Sequence, residues 1–432
     1  RYAKHHLPNY GVFDEYRIFC PGQDTVVVDR AGRRLGLVIC EDIWQDGGPL
    51  TELAARDLDA LLVLNGSPFE HGKRHQRLEL ARDRAAELGC PVLYVNLVGG
   101  QDDLVFDGAS FAVDAAGTLV ARAGSFREDL LLVDLPDDGA SPTMVGDLPE
   151  DRTDTEELYD ALVLGLRDYA RKNGFTTVVL GFSGGIDSAL VAAVAADALG
   201  GPNVIGLSMP SSYSSQHSRD DAAELARRIG ADYRVQPIAP MVTAFEQETG
   251  LEGIAAENVQ ARVRGVLVMG VSNAEGALAL ATGNKSELAV GYSTIYGDAV
   301  GGYAPIKDVL KTRVWELARW RNEEARRRGE TEPIPETSIT KPPSAELRPG
   351  QMDSDSLPDY AVLDAVLEGY VGQAMGRGDL VAAGHDPDVV DLALRLVDRA
   401  EWKRRQYPLG PKVTALAFGR DRRLPVTSRF RD

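Results

Sequence analysis

The hexapeptide Ser-Gly-Gly-Ile-Asp-Ser at residues 183–188 has the residue types and spacing of a phosphate-binding loop. An apolar run at 178–181 precedes it and predicts a buried parallel strand, and the periodic apolar positions that follow predict a helix over 186–199. The glycines let backbone N–H groups approach an oxygen cluster, and the helix dipole adds about half a positive charge there. No lysine follows the glycines, so the loop suits a pyrophosphate whose magnesium is held partly by the protein.

Cys40 is the second residue whose position indicates chemistry. It ends a predicted buried strand over residues 36–39, at a sharp turn, which is the position of a nucleophile on an elbow. A thiolate there needs a nearby cation or backbone dipoles to lower its pKa. Most free cysteines are buried structural residues, and for Cys40 alone that interpretation is the favoured one.

The bulk composition excludes several classes of function. With 47 Lys and Arg against 65 Asp and Glu, the net charge of −18 argues against a nucleic-acid-binding surface. Cys20, Cys40 and Cys90 cannot all pair and match no zinc pattern, which favours a reducing cytoplasm. No apolar run of 18 residues predicts a membrane span.

Strands and helices alternate along the chain in two blocks. Residues 1–135 carry short apolar runs at 36–39, 61–64, 92–95 and 130–135, together with a hairpin around 114–117, and predict a layered α/β domain. Residues 136–154 are rich in Pro, Gly and acidic residues, a composition that predicts a linker. Residues 155–432 predict a doubly wound parallel sheet, which binds ligands at the carboxyl ends of its strands.

Two motifs in the first block resemble the nitrilase superfamily. The segment beginning Lys4-His-His-Leu-Pro-Asn-Tyr resembles its lysine segment, and Cys40-Glu-Asp-Ile-Trp resembles its cysteine segment. The resemblance implies a partial α-β-β-α sandwich in which Cys40 is the nucleophile, Lys4 stabilises the oxyanion and Glu15 supports them. It also implies a glutamine-binding set, made up of Tyr10, Ser67 and Lys73.

The general base of that family is a glutamate upstream of the lysine. Nothing precedes Arg1 in this sequence, so we expect the glutaminase domain to lack its first part and its triad to be incomplete. We therefore predict that a protein made of these 432 residues alone cannot hydrolyse glutamine.

The second block resembles the N-type ATP pyrophosphatases and, through the order of its later motifs, the NAD synthetases. Those motifs are Asn-Val-x-Ala-Arg at 258–262, Thr-Gly-Asn-Lys-Ser-Glu at 282–287, Tyr-Gly-Asp at 296–298 and Lys-Pro-x-Ser-Ala-Glu-Leu at 341–347. With the nitrilase-like block in front, the chain is similar to the glutamine-dependent, two-domain form of that family.

The resemblance implies roles for single residues. Asp187 and Glu287 fall at magnesium positions. ATP-contacting positions are Ser183, Gly184, Gly185, Asp187, Ser188, Gln216, Thr282, Lys311 and Ser344. Positions that hold deamido-NAD are Asn258, Arg262, Asp298 and Lys403. Taken one at a time, each of these residues could instead have no role in a site, because an exposed arginine on a helix is usually just solvated.

Two segments near the end of the chain have competing interpretations. Residues 330–360 are rich in proline and polar residues and are either a plain surface loop or, as the resemblance favours, a loop that orders over the substrates. The basic stretch from Trp402 to Pro425 is either a nucleic-acid arm or, as we expect, a lid over the active site.

The resemblance implies an enzyme that uses ATP and Mg²⁺ to amidate deamido-NAD, with ammonia from glutamine or free ammonium, and the cysteine usage favours a cytoplasmic location. We expect small-molecule substrates, no nucleic-acid or membrane partner, and a homo-oligomer built on a dimer of the second domain. The alternatives are another ATP-pyrophosphatase-class amidotransferase, or a nucleotide-binding regulator with an inactive glutaminase-like half.

Overall fold

The protein forms two compact units. The computed structural model describes residues 1–136, 140–144 and 147–427. One unit comprises Arg1–Gly99 with Leu104–Glu157, and the other comprises Gly100–Asp103 with Leu158–Asp432. Residues 137–139 and 145–146 of the predicted linker lie outside the described residues. The described part of that segment contains a short strand, Thr143–Met144.

Along the first 150 residues, strands outnumber helices. The strands are β1 (Val26–Arg30), β2 (Arg33–Ile39), β3 (Ala60–Asn65), β4 (Val92–Asn96), β5 (Val98–Gln101), β6 (Leu104–Asp107), β7 (Phe111–Val113), β8 (Leu119–Arg122), β9 (Val133–Asp134) and β10 (Thr143–Met144). The helices are α1 (Glu41–Trp44), α2 (Gly48–Ala54) and α3 (Lys73–Leu88).

The main sheet of the first unit has the order β1-β2-β3-β4-β7-β8. Strands β2, β3 and β4 are parallel neighbours, and the outer pairings are antiparallel. Apolar residues of β2, β3 and β4 pack against α3 in one core, which buries Val38, Val63 and Tyr94. The strand expected over 130–135 is shorter than predicted, because β9 and β10 pair through two residues each.

The second unit is mostly helical around a small sheet. Its helices are α4 (Asp154–Lys172), α5 (Ile186–Leu199), α6 (Gln216–Ile229), α7 (Ala239–Thr249), α8 (Ile254–Glu275), α9 (Lys285–Val290), α10 (Lys311–Arg327), α11 (Glu336–Thr340), α12 (Tyr360–Leu367), α13 (Arg377–Ala382), α14 (Pro387–Arg399) and α15 (Glu401–Arg404). Its strands are β11 (Val178–Gly181), β12 (Val204–Ser208), β13 (Asp232–Val235) and β14 (Leu278–Ala279).

The sheet of the second unit is parallel throughout, in the order β13-β12-β11-β14. Strand β11 is central and fully buried at Val178, Val179 and Leu180, as its apolar run predicts. Helices α5 and α8 both pack against it. The predicted α/β class with a parallel sheet is confirmed, and the loops after β11 and β14 lie at the same edge of the sheet.

The last third of the second unit has its own hydrophobic core. Leu288 of α9 packs there with Leu363 of α12 and with Val390 and Val397 of α14. This core supports α9, which begins at the Thr-Gly-Asn-Lys-Ser-Glu motif. Every helix in the described part of the chain is too short or too polar to cross a membrane.

Candidate active sites

Cys40 of the first unit lies at the sharp turn that its sequence position predicts. Strand β2 ends at Ile39 and α1 begins at Glu41, so Cys40 alone makes the turn, with φ 46° and ψ −100°. A non-glycine residue rarely adopts a positive φ, and such backbone strain clusters at functional sites. The Cys40 N–H donates to the Leu64 carbonyl at 2.9 Å, and the residue is 8% exposed.

The electrostatic surroundings of Cys40 act in opposite directions. Burial raises the pKa of the thiol, while the Lys4 ammonium and a hydrogen bond from the Gly66 backbone lower that pKa. Lys4 Nζ donates to the two carboxylate oxygens of Glu15 at 2.8 and 2.7 Å. The three residues predicted as the catalytic set therefore lie in one neighbourhood, although 36 positions separate Lys4 from Cys40.

The predicted glutamine-binding residues surround the same elbow. The Tyr10 hydroxyl donates to the carboxylate of Glu41 at 2.9 Å, and Glu41 directly follows Cys40. Ser67 is buried, with its N–H donating to Asn96 Oδ1 at 3.0 Å. Lys73, the first residue of α3, has its ammonium 5.2 Å from the Trp44 ring centroid.

A buried ion pair behind Ser67 was missed by the sequence analysis. Arg77 donates to both carboxylate oxygens of Asp107 at 2.7 and 2.8 Å. It also donates to the Ser67 hydroxyl at 3.1 Å and to the Ser67 carbonyl at 2.8 Å. The signal in the sequence was an arginine at position 77 on the face of α3 that carries the buried Ala81.

The phosphate-loop sequence of the second unit forms a compact turn between β11 and α5. The hydroxyls of Ser183 and Ser188 are 2.9 Å apart, and the Gly185 N–H donates to Ser183 Oγ at 3.1 Å. Gly184 has φ 77°, and a Cβ there would lie 2.3 Å from the Ser218 carbonyl oxygen. A glycine is therefore required at 184 by both backbone conformation and space.

Asp187 and Glu287 both approach the Lys311 ammonium beside this loop. The Lys311 ammonium forms a short ion pair with Asp187 and lies 3.4 Å from Glu287 Oε1. Asn284 caps α9 through the Glu287 N–H and donates to Asp187 Oδ1 at 2.8 Å. Burial and the neighbouring Asp187 charge raise the pKa of Glu287. Burial opposes the charge of Lys311, but the two carboxylates outweigh it and raise the pKa of the ammonium.

The donor set at Asp187 and Glu287 fits a magnesium ion shared with a phosphate. Mg²⁺ in phosphate-transferring sites is bound through one or two carboxylates, with waters and substrate oxygens completing an octahedron. Two carboxylates, in the first turns of α5 and α9, supply that number. Within the described ranges, no cluster of three or more His, Cys, Asp or Glu side chains forms a metal site of the protein's own.

A cavity of about 300 Å³ opens at this edge of the sheet. Many of the predicted residues line it, namely Ser183, Gly185, Asp187, Ser188, Thr282, Glu287, Asp298, Lys311 and Ser344. Gln216 does not, because its side chain is on the exposed first turn of α6 and donates to Asp220. Gly184, Asn258, Arg262 and Lys403 also lie outside the lining.

The four residues predicted to hold deamido-NAD converge on the segment 291–298. The Thr294 hydroxyl donates to Asn258 Oδ1 at 2.7 Å, and the Thr294 N–H donates to Asp298 Oδ1 at 2.6 Å. Arg262 donates to the carbonyl of residue 295 at 3.3 Å. Lys403 donates to the carbonyls of residues 291 and 293 at 2.8 Å each. Burial raises the pKa of Asp298 to about 6.

Arg264 lines the cavity and was not assigned a role from the sequence. It lies two residues after Arg262 on α8, and its Nε donates to the Met209 carbonyl at 3.2 Å. Burial lowers the pKa of its guanidinium. In the sequence, Arg264 is recognisable as the second arginine of the segment Asn-Val-Gln-Ala-Arg-Val-Arg at 258–264.

Both units match known protein families. The family model described as NAD synthase matches residues 158–407, and the one described as carbon-nitrogen hydrolase matches residues 1–143.

The whole chain has close relatives. It is 46% identical over 436 residues to the glutamine-dependent NAD(+) synthetase of Acinetobacter baylyi, spanning 100% of this chain and 80% of that protein. It is 48% identical over 442 residues to the enzyme of the same name from Rhodobacter capsulatus, spanning 100% and 80%. The solved glutamine-dependent NAD+ synthetase from Acinetobacter baumannii, in complex with ADP, aligns with a TM-score of 0.75 at 45% identity over 98% of this chain and 78% of that one.

Proposed function

The chain belongs to the glutamine-dependent NAD(+) synthetase family, and on that premise we propose which of its residues carry out the reaction. The enzyme is a carbon-nitrogen ligase that amidates deamido-NAD to NAD at the expense of ATP. The observation that most supports our residue assignment is the meeting of Asp187, Glu287 and Lys311 beside the phosphate loop. These three come from separate parts of the sequence, and all line one cavity.

The second unit carries out the ATP-dependent step. An oxygen of the nicotinate carboxylate attacks the α-phosphorus of ATP, the bond to the bridging oxygen breaks, and pyrophosphate leaves. Ammonia then attacks the acyl carbon of the adenylate, loses a proton, and expels AMP to form the amide. Lys311 and the N–H groups of the loop at 183–188 stabilise the charge that grows on the leaving pyrophosphate. The solved Acinetobacter baumannii relative is a complex with ADP, which supports adenine-nucleotide binding by this chain.

Asp187 and Glu287 are the residues that would hold Mg²⁺. The ion, when bound, supplies positive charge to the phosphate oxygens. Asn284 orients this pair, since it donates to Asp187 and its side chain accepts from the Glu287 N–H at 3.0 Å.

The deamido-NAD molecule is held beside the segment 291–298. Asn258, Arg262, Asp298 and Lys403 are our candidates, because each contacts or belongs to this segment. Thr294 bridges two of them. The rest of the proposed ATP set is retained from the sequence analysis, with Gln216 and Gly184 as members that act from outside the cavity lining.

We assign glutamine hydrolysis, in a chain that carries the complete triad, to the first unit. Cys40 attacks the amide carbon of glutamine and Lys4 stabilises the oxyanion, with Glu15 fixing the Lys4 ammonium. Tyr10, Ser67 and Lys73 hold the substrate. The thiol gives its proton to a general base, which passes it to the amide nitrogen as the C–N bond breaks and ammonia leaves. The base then takes a proton from the water that attacks the thioester, and glutamate is released.

We also propose the domain boundaries, the cellular location, the partners and the assembly of the protein. We place the glutaminase domain at 1–135, the linker at 136–154 and the synthetase domain at 155–432, close to the ranges of the two family matches. We infer a cytoplasmic location, no nucleic-acid partner, and a homo-oligomer built on a dimer of the synthetase domain.

A pyrophosphate-release assay tests the synthetase assignment. The full chain is supplied with ATP, Mg²⁺, deamido-NAD and ammonium, and NAD and pyrophosphate are quantified together. We expect the two products in equal amounts. Pyrophosphate release with a different carboxylate in place of deamido-NAD would select another amidotransferase, and nucleotide binding without pyrophosphate release would select a regulator.

A further inference from the structure

Asp42 is a buried carboxylate next to the Cys40 elbow that has no role in the assignments above. Its side chain has no exposed surface. The nearest cationic candidate is His6, whose Nδ1 lies 3.5 Å from Asp42 Oδ1. Burial lowers the pKa of His6, which disfavours the charged imidazolium. A buried charge of this kind is costly unless its oxygens accept several hydrogen bonds.

Each oxygen of Asp42 accepts two hydrogen bonds. Oδ1 accepts from the N–H groups of His5 and His6 at 3.1 and 2.7 Å. Oδ2 accepts from the Tyr2 hydroxyl at 2.7 Å and from the Ile39 N–H at 3.2 Å. The carboxylate is therefore fully satisfied by groups from two separate stretches of chain.

Those two stretches carry the proposed catalytic pair. His5 and His6 directly follow Lys4, and Ile39 directly precedes Cys40. Other contacts of Lys4 tie it to its own segment, since its ammonium binds Glu15 and its carbonyl accepts from the Gly22 N–H at 2.8 Å. The hydrogen bond from Tyr10 to Glu41 joins side chains, whereas Asp42 fixes the backbone on both sides.

We propose that Asp42 is a positioning residue of the glutaminase reaction, which holds the backbone after Lys4 against the strained Cys40 turn. This inference rests on the proposed roles of Lys4 and Cys40. The bond from Ile39 N–H to the carboxylate spans the turn, so it also stabilises the positive φ of Cys40. Asp42 does not touch the substrate in this assignment.

If Asp42 is a positioning residue, its loss raises the pKa of the Cys40 thiol, whereas loss of its negative charge alone would lower that pKa. The charged or titratable groups that act on the Cys40 thiol are Lys4, Glu15, Tyr10, Glu41 and Tyr94. In Asp42→Asn one oxygen becomes an NH₂ group, which faces two donors and cannot accept from them. If Lys4 moves away, the thiol loses its cation and its pKa rises. If Asp42 acted through its negative charge alone, removal of that charge would lower the thiol pKa.

The experiment measures the reactivity of the Cys40 thiol as a function of pH. The full chain and its Asp42→Asn variant are treated with iodoacetamide between pH 6 and 10, and the alkylated Cys40 peptide is quantified by mass spectrometry. Cys20 is an exposed free thiol in the same molecule and serves as the internal reference. Asp29→Asn, which changes an exposed residue of β1, is the matched control.

We expect Asp42→Asn to move the midpoint of Cys40 alkylation upward and to slow alkylation at pH 8 by about tenfold, on the scale of one lost charge contact. Cys20 and the Asp29→Asn variant keep the wild-type profile. An unchanged or lower midpoint for Cys40 overturns the proposal.

A second variant keeps the test decisive if Asp42→Asn fails to fold, which would show as Cys40 reacting like Cys20. Tyr2→Phe removes one of the four donors and leaves the carboxylate in place. We expect a smaller upward shift from it, and no shift would overturn the proposal. Failure of the glutaminase assignment itself would look different: added glutamine would not protect Cys40 of the wild type from iodoacetamide, with the Asp42 effect on the thiol intact.

Discussion

Lys311 is the residue on which the charge balance of the synthetase site depends. Its side chain is 2% exposed and lies between two carboxylates that repel each other. A buried ammonium is stable there because both carboxylates face it. The same arrangement presents negative charge toward a metal and positive charge toward phosphate, which is the combination that a magnesium-bound nucleotide requires.

Loss of either carboxylate that we propose to hold Mg²⁺ should disable the ATP-dependent step. We expect Asp187→Asn and Glu287→Gln each to lower kcat by about a hundredfold or more, on the scale of one lost transition-state electrostatic contact. Turnover with ammonium and deamido-NAD measures this. Glu248→Gln, an exposed glutamate on α7, is the control and should keep wild-type turnover. Near-normal activity in either carboxylate variant would contradict the assignment.

Arg262 should distinguish the two nucleotide substrates. Its guanidinium contacts the segment 291–298 and is not part of the lining of the cavity beside the phosphate loop. We expect Arg262→Ala to raise KM for deamido-NAD by about tenfold while KM for ATP changes less than twofold. Arg171→Ala, an exposed arginine on α4, should alter neither constant. Equal increases for both substrates would argue against a deamido-NAD role.

The raised pKa of Asp298 predicts that the free energy of unfolding depends on pH. Its pKa of about 6 in the folded protein exceeds the value of about 3.9 expected in the unfolded chain. Between these values the folded state binds more protons, so the free energy of unfolding falls as pH rises through the window. Asp298→Asn removes this titration.

Urea unfolding at pH 4 and pH 7 measures the Asp298 effect. The stability of the wild type relative to Asp298→Asn should decrease from pH 4 to pH 7, and solvent screening of this exposed residue limits the size of the decrease. The matched variant Asp102→Asn, at an exposed turn position, should show no such trend. A wild-type-minus-Asp298→Asn difference that does not vary with pH would mean that Asp298 titrates normally.

At the scale of elements, the loop after α11 is tied to the first turn of α6. Glu346 accepts hydrogen bonds from the hydroxyls of Ser215 and Ser218 at 2.9 and 2.8 Å. The carboxylate lies where the helix dipole favours a negative charge. Glu346 has φ 48°, an unfavourable conformation that these bonds help to maintain. The same loop brings Ser344 to the cavity.

Removal of the Glu346 carboxylate should loosen this loop. We expect Glu346→Ala to raise KM for ATP by about tenfold through the loss of two charge-assisted hydrogen bonds, with a smaller change in kcat. Limited proteolysis should cut the segment 341–352 faster in the variant than in wild type. Glu330→Ala, at an exposed glutamate, is the control. Identical ATP kinetics in Glu346→Ala and wild type would exclude this function of Glu346.

At the scale of the whole molecule, the two chemistries belong to separate compact units. Cys40 and its partners belong to the first unit, and the cavity with Asp187 and Glu287 belongs to the second. Each site is built on its own sheet and its own hydrophobic core. On our residue assignment, the ammonia-using reaction needs no side chain of the thiol site.

A variant at Cys40 should separate the two activities. We expect Cys40→Ala to lose any formation of NAD from glutamine and to keep ammonium-dependent NAD formation within about twofold of wild type. Both rates are measured on the same preparation. Cys20→Ala, at an exposed cysteine, should change neither. A large loss of ammonium-dependent activity in Cys40→Ala would show that the synthetase step depends on this residue.

The sequence by itself determined the fold class and the motifs that identify the family. Local patterns suffice for this, because a buried parallel strand reads as an apolar run and a phosphate loop needs glycines in a fixed order. The strand over 178–181, the helix over 186–199 and the turn at Cys40 were therefore predictable. The predicted strand over 130–135 was longer than β9, and no helix was predicted after residue 360, although the Asp386 N-cap before Pro387 is a helix-start signal for α14.

The tertiary structure alone decided which side chains meet. Asn258 and Lys403 lie 145 positions apart and reach one segment, and Asp42 gathers donors from both sides of the Cys40 turn. No periodicity in the sequence encodes such contacts, because they depend on how strands pair and on which loops share one edge of a sheet. Charges such as Lys311 acquire their role from the buried partners that the fold places around them, and burial strengthens those interactions far beyond their value in water.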